Sequence, residues 1–170
     1  DLTHADLSYS YLNRANLSGA DLSCDIGFLA NPWVSEYSSE RGGLCRNLKG
    51  ANLSEANLSG ANLGKADMIR ASLINADLTG ARMFMANVLG ANLTGANLSN
   101  AEMWHVMANY ADLTNANLSR ADLSDAYFYE AIWTGANVSG ACTYNGLDPW
   151  GFGAEAPEGV LNYSDNQWEC

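Results

Sequence analysis

Apolar residues recur along most of the chain at a fixed interval of five. From Ala51 to Ala141 an alanine opens almost every pentapeptide, with only Val106 breaking that column. Two places later comes a large apolar residue: Leu53, Leu58, Leu63, Met68, Leu73 and so on to Phe128, Trp133 and Val138. The exception in this second column is Ala108, in the same pentapeptide as Val106. Small-then-large becomes large-then-small there, which keeps the summed volume a close-packed interior requires, so both positions are expected to point inward. A period of five suits neither regular element. On a helix five residues advance by about 500°, so successive leucines fall about 140° apart and form no stripe. On a strand an odd step sends alternate leucines to opposite faces. Every leucine stays inside only if each pentapeptide also turns a corner and the path winds around the buried side chains.

The polar positions carry the chemistry of corners. Asn or Asp usually sits between the alanine and the large residue (Asn52, Asn57, Asn62, Asp67, Asp77, Asn87, Asn92, Asn97), and Ser or Thr often follows it (Ser54, Ser59, Thr79, Thr94, Ser99). These side chains bond nearby backbone and tolerate tight turns. Glycine often closes the phrase, as at Gly60, Gly80, Gly90, Gly95, Gly135 and Gly140, again a turn residue. The tandem phrase A(D/N)LXX resembles the pentapeptide-repeat family over most of the chain. The resemblance implies an all-β fold, a right-handed quadrilateral β-helix with four pentapeptides per coil and the Leu and Ala positions in its core. About six coils at the inter-strand spacing give a rod of roughly 29 Å.

Residues 1–170 then form one domain: a first coil at 1–23, an inserted loop at 24–46, the main solenoid at 47–143 and a capping tail at 144–170. The loop contains Asn31-Pro32, Gly42-Gly43 and the apolar Ile26, Phe28, Leu29, Trp33, Val34 and Tyr37. Core spacing resumes at Leu48, 26 residues after Leu22 instead of five, so the excursion adds 21 and leaves at the corner between the fourth face and the first. Outward residues of one face recur every 20. After the core residue the fourth face reads Gly64, Phe84, Trp104, Ser124, and the first reads Lys49, Ile69, Leu89, Asn109, Tyr129, with Met85, Met107, Tyr110 and Tyr127 beside them. The second and third faces read mostly Ser and Thr there. Apolar outward residues thus gather where the loop emerges, and Ile69, Phe84, Met85, Leu89, Trp104, Met107 and Tyr129 are the candidate partner-binding residues unless loop or tail covers them. The aromatic tail (Trp150, Phe152, Tyr163, Trp168) is expected to shield the last coil. The N-terminal end shows no such cap and is open to stacking.

Composition narrows the partners. A net charge of −11 excludes phosphate-dominated nucleic-acid binding and attraction to an anionic membrane surface, and no apolar run is long enough to insert in a membrane. The start at Asp1-Leu2-Thr3, without Met and already in the repeat, is expected of a mature product whose signal peptide was removed. Four cysteines allow three pairings. Cys24 and Cys45 end the loop while Cys142 and Cys170 bracket the tail, so the favoured pairs are Cys24 with Cys45 and Cys142 with Cys170, against four free thiols. A zinc site lacks the CxxC spacing. Disulfides imply an oxidising compartment, lumenal or periplasmic.

Catalytic chemistry has little footing. His4 and His105 fall far apart at outward positions, and no triad, phosphate-cradling glycine motif or metal-ligand cluster appears, so no enzyme activity, cofactor or metal is expected. Asn-x-Ser/Thr at Asn16, Asn52, Asn57, Asn92, Asn97, Asn117 and Asn137 follows from the repeat itself. The leading expectation is a non-enzymatic scaffold that binds an unidentified protein. Within the family the chain resembles cyanobacterial members with a signal peptide and cysteines near the C-terminus, a resemblance that implies thylakoid lumen or periplasm. Another branch implies an alternative: acidic members that resemble duplex DNA in shape and charge and bind DNA gyrase. A hydrolase carried by the inserted loop is a third reading.

Overall fold

The computed structural model describes residues 6–23, 47–144 and 161–163. Within them the backbone runs as four ladders of parallel bridges. The first face joins Asp6, Asn47, Asp67, Asn87, Met107 and Tyr127; the second joins Tyr11, Asn52, Ser72, Asn92, Asp112 and Ile132. The third joins Asn16, Asn57, Asp77, Asn97, Asn117 and Asn137, and the fourth joins Asp21, Asn62, Arg82, Glu102, Asp122 and Cys142. Coils one to six are numbered by these rungs. Each step is 20 residues except the first, where Asp6 pairs with Asn47 at a step of 41; the difference, 41 less 20, is 21 added residues at the corner between the fourth face and the first. The loop that contains them, the disulfide expected between Cys24 and Cys45, and any cover of the neighbouring faces lie outside the described residues.

The pentapeptide is the unit because five residues suffice to satisfy five backbone N–H groups. In the phrase Asn52 to Ala56, Asn52 donates down to the Ser10 carbonyl (2.8 Å), Leu53 donates up to Ser72 (2.7 Å), and Glu55 donates up to Ile74 (2.8 Å). Ala56 closes the corner by donating to the Leu53 carbonyl at 3.0 Å. The remaining N–H, on Ser54, is taken by the Asn52 side-chain oxygen at 3.0 Å. A buried backbone group left unpaired is costly, and this is why Asn or Asp precedes the core residue: the Asx side chain supplies the one acceptor that neither ladder nor turn provides. The same contact recurs at Asn57, Asp77, Asn92, Asn97, Asp112 and Asn137.

The corner also explains the fifth position. The residue two after each core residue has φ between 52 and 70°, including Glu55 (58°), Lys65 (56°), Met85 (55°) and Glu130 (53°). A turn closed by an i to i+3 bond with only its third residue left-handed demands this. Glycine adopts it freely, yet fourteen such positions carry a side chain, so burial of the core overrides a local preference of about 1 kcal/mol each.

The interior is a single column of side chains. Ala51 to Ala141 and Leu48 to Val138 are buried at nearly every repeat, and Val106 and Ala108 are both fully buried, so the exchanged pair does point inward. Each leucine so buried contributes about 2 kcal/mol. Burial weakens at both ends, where Leu7, Leu12 and Leu17, and Ala131, Trp133 and Ala136, are only partly covered. At the C-terminal end Thr143 occupies the core position of the fourth face and is buried. There β1, Cys142–Tyr144, pairs in parallel with β2, Leu161–Tyr163, with Cys142 opposite Leu161. β2 thus adds a further rung to the fourth face. The rest of the tail, including Cys170, lies outside the described residues. Cys142 is disulfide-bonded, and the pairing expected with Cys170 likewise lies outside them.

Candidate functional site

On the third face the outward side chains mostly bond one another. Asn137 Nδ2 donates to Asn117 Oδ1 at 3.1 Å, Asn117 Nδ2 to Asn97 Oδ1 at 3.1 Å, and Asn97 Nδ2 to the Thr79 hydroxyl at 2.7 Å. On the second face Ser54 and Ser72 hydroxyls lie 2.9 Å apart. The Thr114 N–H and hydroxyl hold the Asp112 carboxyl below the usual carboxylate range, with the backbone contact at 2.9 Å. Two ion pairs bridge coils, Arg14 with Glu55 at 2.8 Å and Arg82 with Glu102 at 3.3 Å, and His105 Nε2 lies 3.6 Å from an Asp125 oxygen. These contacts link one coil to the next.

Apolar outward residues behave differently on two surfaces. At the fourth face the rings of Phe84 and Trp104 stack with centroids 5.3 Å apart and planes 14° apart, and His105 meets the Trp104 ring edge-on at 5.2 Å. Phe84 in turn lies over Gly64 of the coil below. Ile69, Leu89, Met85 and Met107, like Phe84 and Trp104, are partly buried. Of the seven sequence candidates only Tyr129 is an exposed large side chain.

Tyr129 belongs to a second group. Its ring meets that of Tyr110 edge-on, centroids 5.8 Å apart at 88°. Tyr110, Tyr127, Tyr129 and Ile132 are 53, 50, 41 and 50% exposed. They converge where the first face turns into the second at coils five and six: Tyr110 and Glu130 are consecutive in the corner column, Tyr129 precedes that corner, and Ile132 follows it. Because Tyr127 stands where an Asx residue would be, the Tyr129 N–H takes its acceptor from the coil below, Asn109 Oδ1 at 2.8 Å. The adjacent Glu130 carboxylate pushes the Tyr129 hydroxyl above the usual phenol range. Tyr110 and Tyr127 stand beside the surface expected from the 20-residue columns, whereas Glu130 and Ile132 are not among the residues the columns single out. The signal for Ile132 was present, since an isoleucine replaces the usual Asn or Asp before Trp133. Among the described residues no group of His, Cys, Asp and Glu is arranged to hold a metal ion, and no helix is long and apolar enough to cross a membrane.

The model for pentapeptide repeats matches residues 1–24, 47–83 and 86–125 in eight copies. The chain belongs to the pentapeptide-repeat family. The winding just described is accordingly that family's right-handed quadrilateral β-helix. No enzyme family matches, and pentapeptide-repeat proteins are generally non-enzymatic. Among solved structures the chain is similar to a pentapeptide-repeat protein of the Arabidopsis thaliana thylakoid lumen, at 33% identity and a TM-score of 0.54 over 55% of this chain and 65% of that one, less than two thirds of its length. It also matches HetL, involved in heterocyst differentiation regulation in the cyanobacterium Nostoc, at 24% identity over 85% of this chain and 60% of that one, with a TM-score of 0.41. The plasmid-mediated fluoroquinolone resistance protein QnrB1 matches at 21% identity over 93% of this chain and 79% of that one, with a TM-score of 0.46. Among curated proteins none matches.

Proposed function

We propose that this protein is a non-enzymatic scaffold of an extracytoplasmic compartment, thylakoid lumen or periplasm, whose task is to present a contact surface to a partner protein. The observation that carries the reading is the exposed aromatic corner at Tyr110, Tyr127, Tyr129 and Ile132, on a rod whose other outward positions are largely Ser, Thr and Asx side chains bonded to their neighbours. Exposed aromatic groups gathered in a patch, as here and, with fewer members, at Tyr9 and Tyr11 of coil one, are the composition of binding surfaces. The lumenal relative and the disulfide at Cys142 support the compartment. The partly buried Ile69, Phe84, Met85, Leu89, Trp104 and Met107 form the flank of that surface. The test is capture from the native compartment by the wild-type chain and by Tyr129→Ser. A partner held by the first and released by the second supports the scaffold; capture of nothing beyond a bare matrix overturns it.

The net charge of −11 favours a second reading, an acidic mimic of duplex DNA that binds DNA gyrase. Lys49, Lys65, Arg70 and Arg82 all fall in coils two and three and interrupt the acidic surface there. A supercoiling assay separates the two: inhibition of gyrase by the purified chain, at levels where another acidic protein does nothing, would establish the mimic.

A further inference from the structure

We propose that the corner between the first and second faces at coils five and six docks an arginine-bearing basic segment of a partner protein, held by Tyr110, Tyr129 and the Glu130 carboxylate. This rests on the scaffold reading and adds the chemistry of the partner. The rings of Tyr110 and Tyr129 stand at 88° to each other, so they make no flat platform for a sugar ring. Edge-to-face packing instead leaves ring surface open beside a carboxylate. A guanidinium is planar and weakly hydrated, stacks on an aromatic face, and still directs N–H groups sideways to an acceptor. Glu130, exposed in the left-handed conformation of the corner column (φ 53°), supplies that acceptor directly after Tyr129.

Charge complementarity points the same way. Residues 121–170 contain eight Asp and Glu and no Lys or Arg, and among the described residues Asp122, Asp125 and Glu130 lie in coils five and six. The last basic residue, Arg120, lies over Gly140 at the diagonally opposite corner. In the Tyr110 column the nearest base is Arg70, which lies against Gly90, one coil short of the tyrosine. Among the described residues no lysine or arginine pairs with either ring. The rings and the Glu130 carboxylate, which also accepts the Tyr129 hydroxyl, thus have no cationic partner among the described residues. The Phe84 and Trp104 pair offers less, because each ring covers a face of the other.

The test titrates the full chain with a short Gly-Arg repeat peptide, its Gly-Lys counterpart and its uncharged Gly-citrulline counterpart, at low and physiological salt. The arginine peptide binds, the lysine peptide binds about three- to five-fold more weakly because it gains charge attraction without stacking, and the citrulline peptide does not bind. Tyr110→Ala and Tyr129→Ala each weaken the arginine peptide by about three-fold, Glu130→Gln by about five-fold. Tyr129→Phe keeps the stacking, and Tyr11→Ala, a substitution of a tyrosine 85% exposed on coil one, changes nothing. Equal binding of arginine and lysine peptides, indifferent to the tyrosines, overturns the proposal in favour of diffuse charge attraction. No binding of either peptide overturns it outright, and a dimer that Tyr129→Ala dissociates assigns the corner to a second copy. If wild type still captures a partner that Tyr129→Ser releases, the scaffold stands without the arginine site. Should the peptide bind as stated while no partner is captured, the site stands and the scaffold does not.

Discussion

The ring of Phe84 fills the space that a Cβ at position 64 would need, so Gly64 and Phe84 form one unit across two coils. The backbone at Gly64 has no positive φ, and its glycine is required by the ring alone. Gly64→Ala is expected to cost about 1–3 kcal/mol, an overpacking penalty, and to cost almost nothing in a Phe84→Ala background. A double-mutant cycle by denaturant unfolding measures the coupling, and simple additivity would rule it out.

Gly80 isolates the opposite case. Its φ is 62° and nothing lies within 4 Å of an added Cβ, so Gly80→Ala reads the backbone strain by itself, about 1 kcal/mol. Lys65→Gly, at φ 56°, should stabilise by about 0.5 kcal/mol after the added freedom of the unfolded chain is deducted. Urea midpoints moving in opposite directions for the two variants are the expected result.

Ser10 stands in the small core column of coil one, where its size suits the site, but its buried hydroxyl has no hydrogen-bond partner. Ser10→Ala removes that group and should raise stability by about 1 kcal/mol. A melting temperature unchanged or lowered by the substitution would show that the hydroxyl is satisfied.

Asn117 makes three contacts: its Oδ1 accepts the Ser119 N–H at 3.2 Å and Asn137 Nδ2 at 3.1 Å, and its Nδ2 donates to Asn97. Asn117→Asp keeps the acceptor but loses the donor and sets a carboxylate against Asn97 Oδ1; Asn117→Ala loses all three. The alanine variant should be the less stable by about 1 kcal/mol at neutral pH. Equal losses would mean that the turn contact contributes little and the ladder dominates.

Asp112 carries a pH dependence. Its carboxyl is held below the usual range by Thr114, so the unfolded chain binds the proton more tightly than the folded one. The stability this contributes is present above the unfolded pKa of about 3.9 and is lost as the pH falls through the lower folded value. Asp112→Asn keeps an oxygen for the Thr114 N–H and does not titrate. Wild type should therefore lose more stability than the variant between pH about 5 and about 2, read from melts across that range.

The winding was legible because each of its rules has a residue type attached. Leu and Ala mark the interior, Asn or Asp the acceptor for one N–H, and Gly the left-handed corner, so the 20-residue columns could be laid out from the letters alone. That layout makes Phe84 and Trp104 neighbours on one face, and the structure stacks their rings. What letters could not convey was how far a ring leans. Phe84 tilts onto Gly64 and is half-buried, whereas Tyr110 and Tyr129 meet edge-on and stay exposed. The choice between the two apolar surfaces rests on that difference. Ile132 stands apart for a simpler reason: it occupies an Asx position, whereas the other apolar outward residues mostly follow the core residue.

The closing of all five N–H groups by ladder, turn and Asx side chain has a further consequence. The ladder and turn bonds that hold a coil run between backbone groups and do not depend on which residues project at its corners, and neighbouring coils differ by about 4.8 Å along one axis. Exchanging Tyr110, Tyr129 and Glu130 with their counterparts one rung lower, Gly90, Asn109 and Tyr110, would carry the aromatic corner along the rod by that increment, with one bond to replace, the Asn109 Oδ1 that accepts the residue-129 N–H. The solenoid thus works as a peg rail, on which the height of a recognition element is an adjustable quantity independent of the fold.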